Sequence, residues 1–252
     1  MNSQLNSIQT FVHEKMESAI EQIENIGSPI LTLKTSEGYL IVKKNSFTEN
    51  LIREFGDGSL MYTATGAHTD YFEIFSMAKK IFDGLFYQFS PNLKETYDVH
   101  ADFITEIIHE HMLSIIKNIN FYAPQRAPYA VDMLLAENSF FNEKTNAFDK
   151  VVLYSIYYKQ NKASEEKTDD EQIVIQRGEQ LIRQKINDDA FGLPFSFFEK
   201  VTEKHSYSPM PEEEALDFIR ELKRKRIFGE ASENYTLEIV SATPNKFKRI
   251  EI

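Results

Sequence analysis

Cysteine is absent from the 252-residue chain. Disulfides, thiolate metal sites and cysteine nucleophiles are therefore excluded, and the absence fits a reducing compartment. Basic residues are in short supply: 28 Lys and Arg stand against 39 Asp and Glu, a formal net charge of −11. That balance argues against a nucleic-acid surface, because phosphate binding needs clustered cations. No apolar run approaches the roughly 20 residues that span a bilayer. A signal peptide is not expected, because Glu14, Glu17, Glu21 and Glu24 interrupt any apolar stretch near the N-terminus. The expectation is a cytoplasmic protein with no membrane or nucleic-acid partner. A hydrophobic fraction of 42% is that of a soluble globular chain long enough for a substantial core.

The apolar periodicity then orders the chain. Ile8, Val12, Met16, Ala19, Ile20, Ile23 and Ile26 recur at three- and four-residue steps, which predicts an amphipathic helix over 5–26 with an acidic outer face. Gly27 stops it. Ile30–Lys34 and Tyr39–Lys43 read as a hairpin turned at Ser36-Glu37-Gly38, followed by a polar loop over 44–50. Leu51–Phe55 and Leu60–Thr65 form a second strand pair. From Asp70 the period becomes helical as far as Phe89, and a second helix runs from about Val99 to Ile119 with Phe103, Ile107, Ile108, Met112, Ile115 and Ile116 inward.

Ala130–Glu137, Val151–Tyr158 and Ile173–Gln176 read as strands, and 159–172 as an acidic surface loop. A short helix is expected from Gly178 to about Ile186, while 188–210 has no clear pattern. Pro211 opens a further helix, with Glu212–Glu214 favourable to its dipole and Lys223–Arg226 in its last turn. Tyr235–Ala242 and Phe247–Ile250 finish as strands. No linker or repeat divides this order, so 1–252 is read as a single domain in which 1–27 is a helix ahead of the first strand. Strand sets alternating with paired helices predict an α+β fold, a four-layer αββα sandwich of two antiparallel sheets flanked by two helix layers.

Few residues carry a chemical signal of their own. His109-Glu110-His111 hints at metal, but i and i+2 on a helix point to different faces, so exposed helix residues are the expectation. Asp188-Asp189 and Glu212–Glu214 lack calcium-loop spacing, and Gly56-Asp57-Gly58 lacks the ending of a phosphate loop. No metal and no cofactor is expected. The junction Gly27-Ser28 is the sharper feature. Cleavage there would expose a hydroxyl residue with a free α-amine at the head of a strand, a nucleophile and its base in one residue.

Four stretches together resemble proteasome-type subunits of the N-terminal-nucleophile hydrolase superfamily. They are Gly27-Ser28 through Val42, with Glu37-Gly38 ten residues on; Asn50–Phe55, Leu60–Gly66 and Asp70; Arg126-Ala127-Pro128-Tyr129-Ala130-Val131; and the final pair Leu237–Val240 and Phe247–Ile250. The helix ahead of the hairpin makes the α-type, non-catalytic, bacterial-like subunits the better match. In catalytic relatives an N-terminal Thr is supported by an Asp and a Lys. The resemblance puts the nucleophile position at Ser28, followed by Pro29. It puts the Asp position at Lys43 or Lys44, and the Lys position at Asn50 or Leu51. Both partners are thereby replaced, which implies no catalytic residue and no enzyme.

The resemblance implies a homo-oligomeric ring, a heptamer, that stacks on a β-type peptidase ring and controls substrate access for protein degradation. It also implies an activator-carboxylate pocket, with an ATPase or other activator as partner. The usual Lys is missing there, leaving Lys44 and Arg53 as substitutes. Two alternatives stay open. One is a self-processed peptidase using Ser28. The other is a free-standing homo-oligomeric binding or scaffold protein of the same fold.

Overall fold

A computed structural model describes residues 14–23, 26–28, 30–55, 58, 60–89, 100–118, 127–142, 144, 147–158, 173–177, 210–226, 228, 235–244 and 246–252. Strand β1 (Ile30–Lys34) and β2 (Tyr39–Asn45) form the expected hairpin, in the register Ile30↔Lys43 to Lys34↔Tyr39. β2 runs two residues beyond Lys43. Lys44 and Asn45 pair with Leu237 and Thr236 of β8 (Thr236–Thr243), so this part of the polar sequence is strand rather than loop. β9 (Lys246–Ile250) completes an antiparallel sheet in the order β1-β2-β8-β9.

The second antiparallel sheet has the order β3-β4-β5-β6-β7. Its strands are β3 (Arg53–Phe55), β4 (Leu60–Gly66), β5 (Val131–Asn142), β6 (Ala147–Tyr158) and β7 (Ile173–Arg177). β3 begins at Arg53, not Leu51, because the Leu51 and Ile52 amides are turned to a side-chain carboxylate, that of Glu238. β5 and β6 are longer than their apolar runs predict. Past Glu137 the ladder continues through polar residues, Asn138↔Val151 and Ser139↔Lys150, so backbone pairing carries the strand where side-chain pattern fails.

Four helices are described: α1 (residues 14–23), α2 (His68–Phe89), α3 (His100–Asn118) and α4 (Glu212–Arg224). α4 starts after Pro211 with Glu212, Glu213 and Glu214 in its first turn and Lys223 and Arg224 in its last, as its charge pattern predicts. In α3 the buried apolar residues are Ala101, Ile104, Ile108 and Met112, whereas Phe103 is exposed. Ile108 and Met112 face inward as expected, and Ala101 and Ile104 extend the stripe in place of Phe103. The helix expected over 178–186 and the loops over 159–172 and 188–209 lie outside the described residues, as do residues 1–13 and Pro29. No described helix is long and apolar enough to cross a membrane.

The fold is α+β, with helices and two antiparallel sheets, and is compatible with a sandwich. Its apolar side chains fall into three clusters. One joins Leu31, Leu33, Leu40 and Val42 to Ala215, Leu216, Ile219 and Leu222 of α4. A second takes Ile30 and Ile41 of the same strands, with Val240 and Ala242 of β8, together with Met61, Leu134, Ala136 and Leu153 of the other sheet. The third joins Tyr62, Ala64, Met133 and Leu135 to α1, α2 and α3, through Met16, Ala19, Ile23, Tyr71, Ile74, Ile104 and Ile108 among others. β1, β2, β4 and β5 are therefore buried on both faces, the condition under which strict apolar-polar alternation disappears.

Close approach requires a glycine where β4 ends. Gly66 ends β4 at φ 128°, and a Cβ there would lie 2.0 Å from the Ala130 carbonyl oxygen. That oxygen accepts the Ala67 amide (2.7 Å), while Asp70 Oδ2 accepts the Ala130 amide (2.8 Å), locking α2 to the start of β5. Gly66→Ala combines a strained φ with a backbone clash, and is expected to destabilise the protein by about 2 kcal/mol or more. Urea unfolding midpoints of the parent and variant check this, and an unchanged midpoint would refute the packing described.

Candidate functional site

At the end of β2, the residues of the between-sheet face are Ile41 and then Lys43. An amine so placed enters an apolar interior, and Lys43 is only 2% exposed. Its Nζ crosses to the second sheet and donates to the Ala64 carbonyl of β4 at 2.5 Å. Lys43 and Glu238 are direct partners across the β2–β8 ladder. The Glu238 carboxylate, however, is already engaged. Its Oε1 accepts from the Asn45 side-chain amide and from the Leu51 amide (2.7 Å), and its Oε2 from the Ile52 amide (3.0 Å) and Arg249 (3.3 Å).

Burial strips water from the Lys43 amine and disfavours its charged form. The nearby Glu238 charge opposes this without overcoming it, and the pKa falls from its ordinary value to about 7. Arg249 also holds the Ile52 carbonyl, so β9, β8 and the approach to β3 are tied at one point. Tyr71 of α2 donates to the Leu51 carbonyl at 2.7 Å, fixing the same segment from the helix side, and its burial raises the phenol pKa well above normal.

These groups border a cavity of about 200 Å³, lined by Ile26, Ser28, Lys43, Phe47, Leu51, Ala64, Gly66, His68 and Tyr71. Its rim is apolar and open. Ile26 and Phe47 are 60% and 50% exposed, and Phe47 stacks on His68 with ring centres 4.2 Å apart. Ser28, half-buried at the head of β1, follows directly on Gly27. The Gly27 amide donates to Ile23 of α1 (2.9 Å), closing the helix. A Cβ on Gly27 would lie 2.4 Å from both the Ile23 carbonyl oxygen and the Thr65 hydroxyl. Packing alone thus requires glycine before Ser28.

Of the residues singled out from sequence, Ser28, Lys43 and Leu51 are brought together around one cavity. Asn50 is exposed beside it, accepting from Arg53 through its carbonyl oxygen (3.1 Å). Lys44 and Arg53 are not part of the cavity. Lys44 lies over the Tyr235 ring (5.0 Å), and Arg53 pairs with Glu49 (2.6 Å) while stacking over Phe72 and Phe75. The histidine pair on α3 differs from expectation, since His111 is half-buried and contacts the Tyr129 hydroxyl at 3.2 Å. Tyr129 in turn donates to Glu73 (3.0 Å). Among the described residues no group of three or more His, Asp or Glu is placed to hold a metal ion.

Sequence reasoning missed Glu238, His68 and Tyr71. Tyr71 reads only as part of an apolar stripe, and Glu238, within Leu237–Val240, meets Lys43 only through the long-range β2–β8 pairing.

The depressed lysine has a consequence for stability. In the unfolded chain the amine keeps its proton to about pH 10.4, whereas in the folded protein it releases it near pH 7. Between those values the unfolded state binds more protons. Stability therefore rises with pH at up to about 1.4 kcal/mol per unit, and this contribution is flat below pH 7. Lys43→Met is expected to remove that rise between pH 7 and 9.5. Urea unfolding of both proteins at pH 6, 7, 8, 9 and 9.5 measures it, and parallel profiles would contradict the burial of a titrating amine.

No family model matches the chain, and no curated protein matches it, so the site itself is the basis for a functional reading.

Proposed function

We propose that the chain is a non-catalytic, α-type proteasome-like subunit with the four-layer αββα arrangement of the N-terminal-nucleophile hydrolases. In this reading it forms a homo-oligomeric ring, heptameric by resemblance, and stacks on a β-type peptidase ring whose substrate access it controls. The clusters support the layering: one between sheet and α4, one between the two sheets, one between sheet and the remaining helices.

The observation that carries the non-catalytic assignment is the treatment of the segment ahead of Ser28. Met16, Ala19 and Ile23 of α1 are buried in the same cluster as Tyr62, Ala64 and Tyr71. Burying three such side chains contributes several kcal/mol, on the order of 1–3 kcal/mol each for the larger two. Removing 1–27 would expose that cluster. Gly27, which the resemblance associates with processing, has a packing reason of its own in the approach of Thr65. With the chain continuous, the Ser28 nitrogen is an amide and supplies no base. An activator carboxylate at Lys44 or Arg53 would compete with the Tyr235, Glu49 and Phe72 contacts, so these residues are weak candidates for that pocket.

One observation favours the alternative of a processed peptidase, namely that Ser28 and the Lys43 amine border the same cavity. Mass separates the readings. Native mass spectrometry of the purified chain, alone and co-expressed with a neighbouring β-type gene, is expected to give a closed ring of full-length 29.3 kDa subunits. Loss of residues 1–27 in the assembled particle would establish the peptidase instead. A monomer in both samples would exclude either ring, and a ring that forms but ignores the β-type partner would leave the scaffold reading.

A further inference from the structure

The cavity beside Ser28 contains something a ring contact does not require: an amine. A methionine of similar length would fill the same channel between the sheets without the cost of desolvating a charge. Lys43 instead brings Nζ to the Ala64 carbonyl, where it makes one hydrogen bond. The carboxylate that shares its register is occupied by four other donors, Asn45, Leu51, Ile52 and Arg249. The remaining walls near it are largely apolar: Leu51, Ala64, Tyr71, Phe47 and Ile26, with Ser28 and His68 as polar exceptions. A void of about 200 Å³ leaves room for a small organic molecule beside the amine.

We propose that this cavity is a binding site for a small aldehyde or ketone, captured by Lys43 as an imine. The Nζ lone pair attacks the carbonyl carbon, and the C=O π pair moves to oxygen as the C–N bond forms. A proton passes from nitrogen to that oxygen, giving a carbinolamine. Loss of water then leaves the C=N bond, with no oxidant or reductant involved. Hydrolysis runs the same steps backwards, so capture is reversible. Ser28 and His68 line the same cavity and are the groups available to pass the proton. Glu238, the acidic group that acts on Lys43, is held by its own hydrogen bonds and does not supply it.

An amine that is largely unprotonated at neutral pH is the nucleophilic form of lysine, as in enzymes that desolvate a catalytic lysine to form Schiff bases. Lys43 is in that condition, with a pKa of about 7. An ordinary lysine at pH 7.5 is only about 0.1% neutral, against roughly three-quarters for one with a pKa near 7.

The test uses the full-length protein, butanal as probe and sodium cyanoborohydride to trap the imine as a secondary amine. Peptide mapping compares Lys43 with the exposed Lys248. The expected result is labelling of Lys43 at least about 10-fold faster at pH 7.5, since the roughly 600-fold gain in neutral amine exceeds the loss of nucleophilicity that accompanies a lower pKa. The rate saturates with butanal concentration, and its pH profile turns over near pH 7. A dextran bearing aldehyde groups, far too large for the cavity, labels Lys248 and spares Lys43. Labelling of Lys43 no faster than Lys248 overturns the proposal, as does a rate linear in butanal throughout. Because the comparison is made within the parent protein, it does not depend on the folding of a variant. Lys43→Met, which removes the amine, is expected to abolish the fast phase.

Discussion

The carboxylate of Glu238 is the polar joint on which the end of the molecule near Ser28 depends. It belongs to β8, yet two of its four donors are the amides of Leu51 and Ile52, which lead into β3 of the other sheet. Those amides have no strand partner at that point, and a buried N–H left unpaired costs about as much as a lost hydrogen bond. One side chain satisfies both. Asn45 and Arg249 bring β2 and β9 to the same acceptor. The position of the β3 segment, the shape of the adjacent cavity and the environment of Lys43 are thus set together.

Burial keeps Lys43 near neutrality, and the nearby Glu238 charge does not reverse it. An anion directly across the ladder would ordinarily hold a lysine charged. Here the anion's hydrogen-bonding capacity is spent on backbone and on two other side chains, while the amine reaches away toward the second sheet. The resulting site combines a desolvated amine, a hydroxyl at a strand head and an apolar mouth. It can coexist with a role in assembly, since the ring reading rests on α1 and the Gly27 junction rather than on the cavity.

The order of elements was largely legible in the sequence, because helices and strands here differ sharply in period. Ile30–Lys34 was recoverable to the residue from the flanking Gly38 turn and its apolar content. The site was much less legible. β2 is buried on both faces, so nothing in the alternation distinguishes the fate of Lys43, enclosed between sheets, from that of Lys44, resting on Tyr235. The resemblance presented the two as interchangeable replacements for a lost acid. Register, fixed by pairing with β8 some 190 residues away in sequence, is what separates them. Phe103 and His111 were misplaced for a related reason: a helix with apolar residues on most of its circumference does not declare which of them faces the sheet.

The edge of the first sheet bears on how copies of this chain can meet. β9 is an outermost strand, and its exposed residues include Lys246, Lys248 and Arg249. Cations along an edge guard against the commonest accident of β proteins, the addition of a foreign strand to an open hydrogen-bonding row. Like charges would also face each other if two such edges met. Extension of the sheet from one molecule to the next is therefore disfavoured at β9. The same device guards a newly made chain against edge-to-edge aggregation.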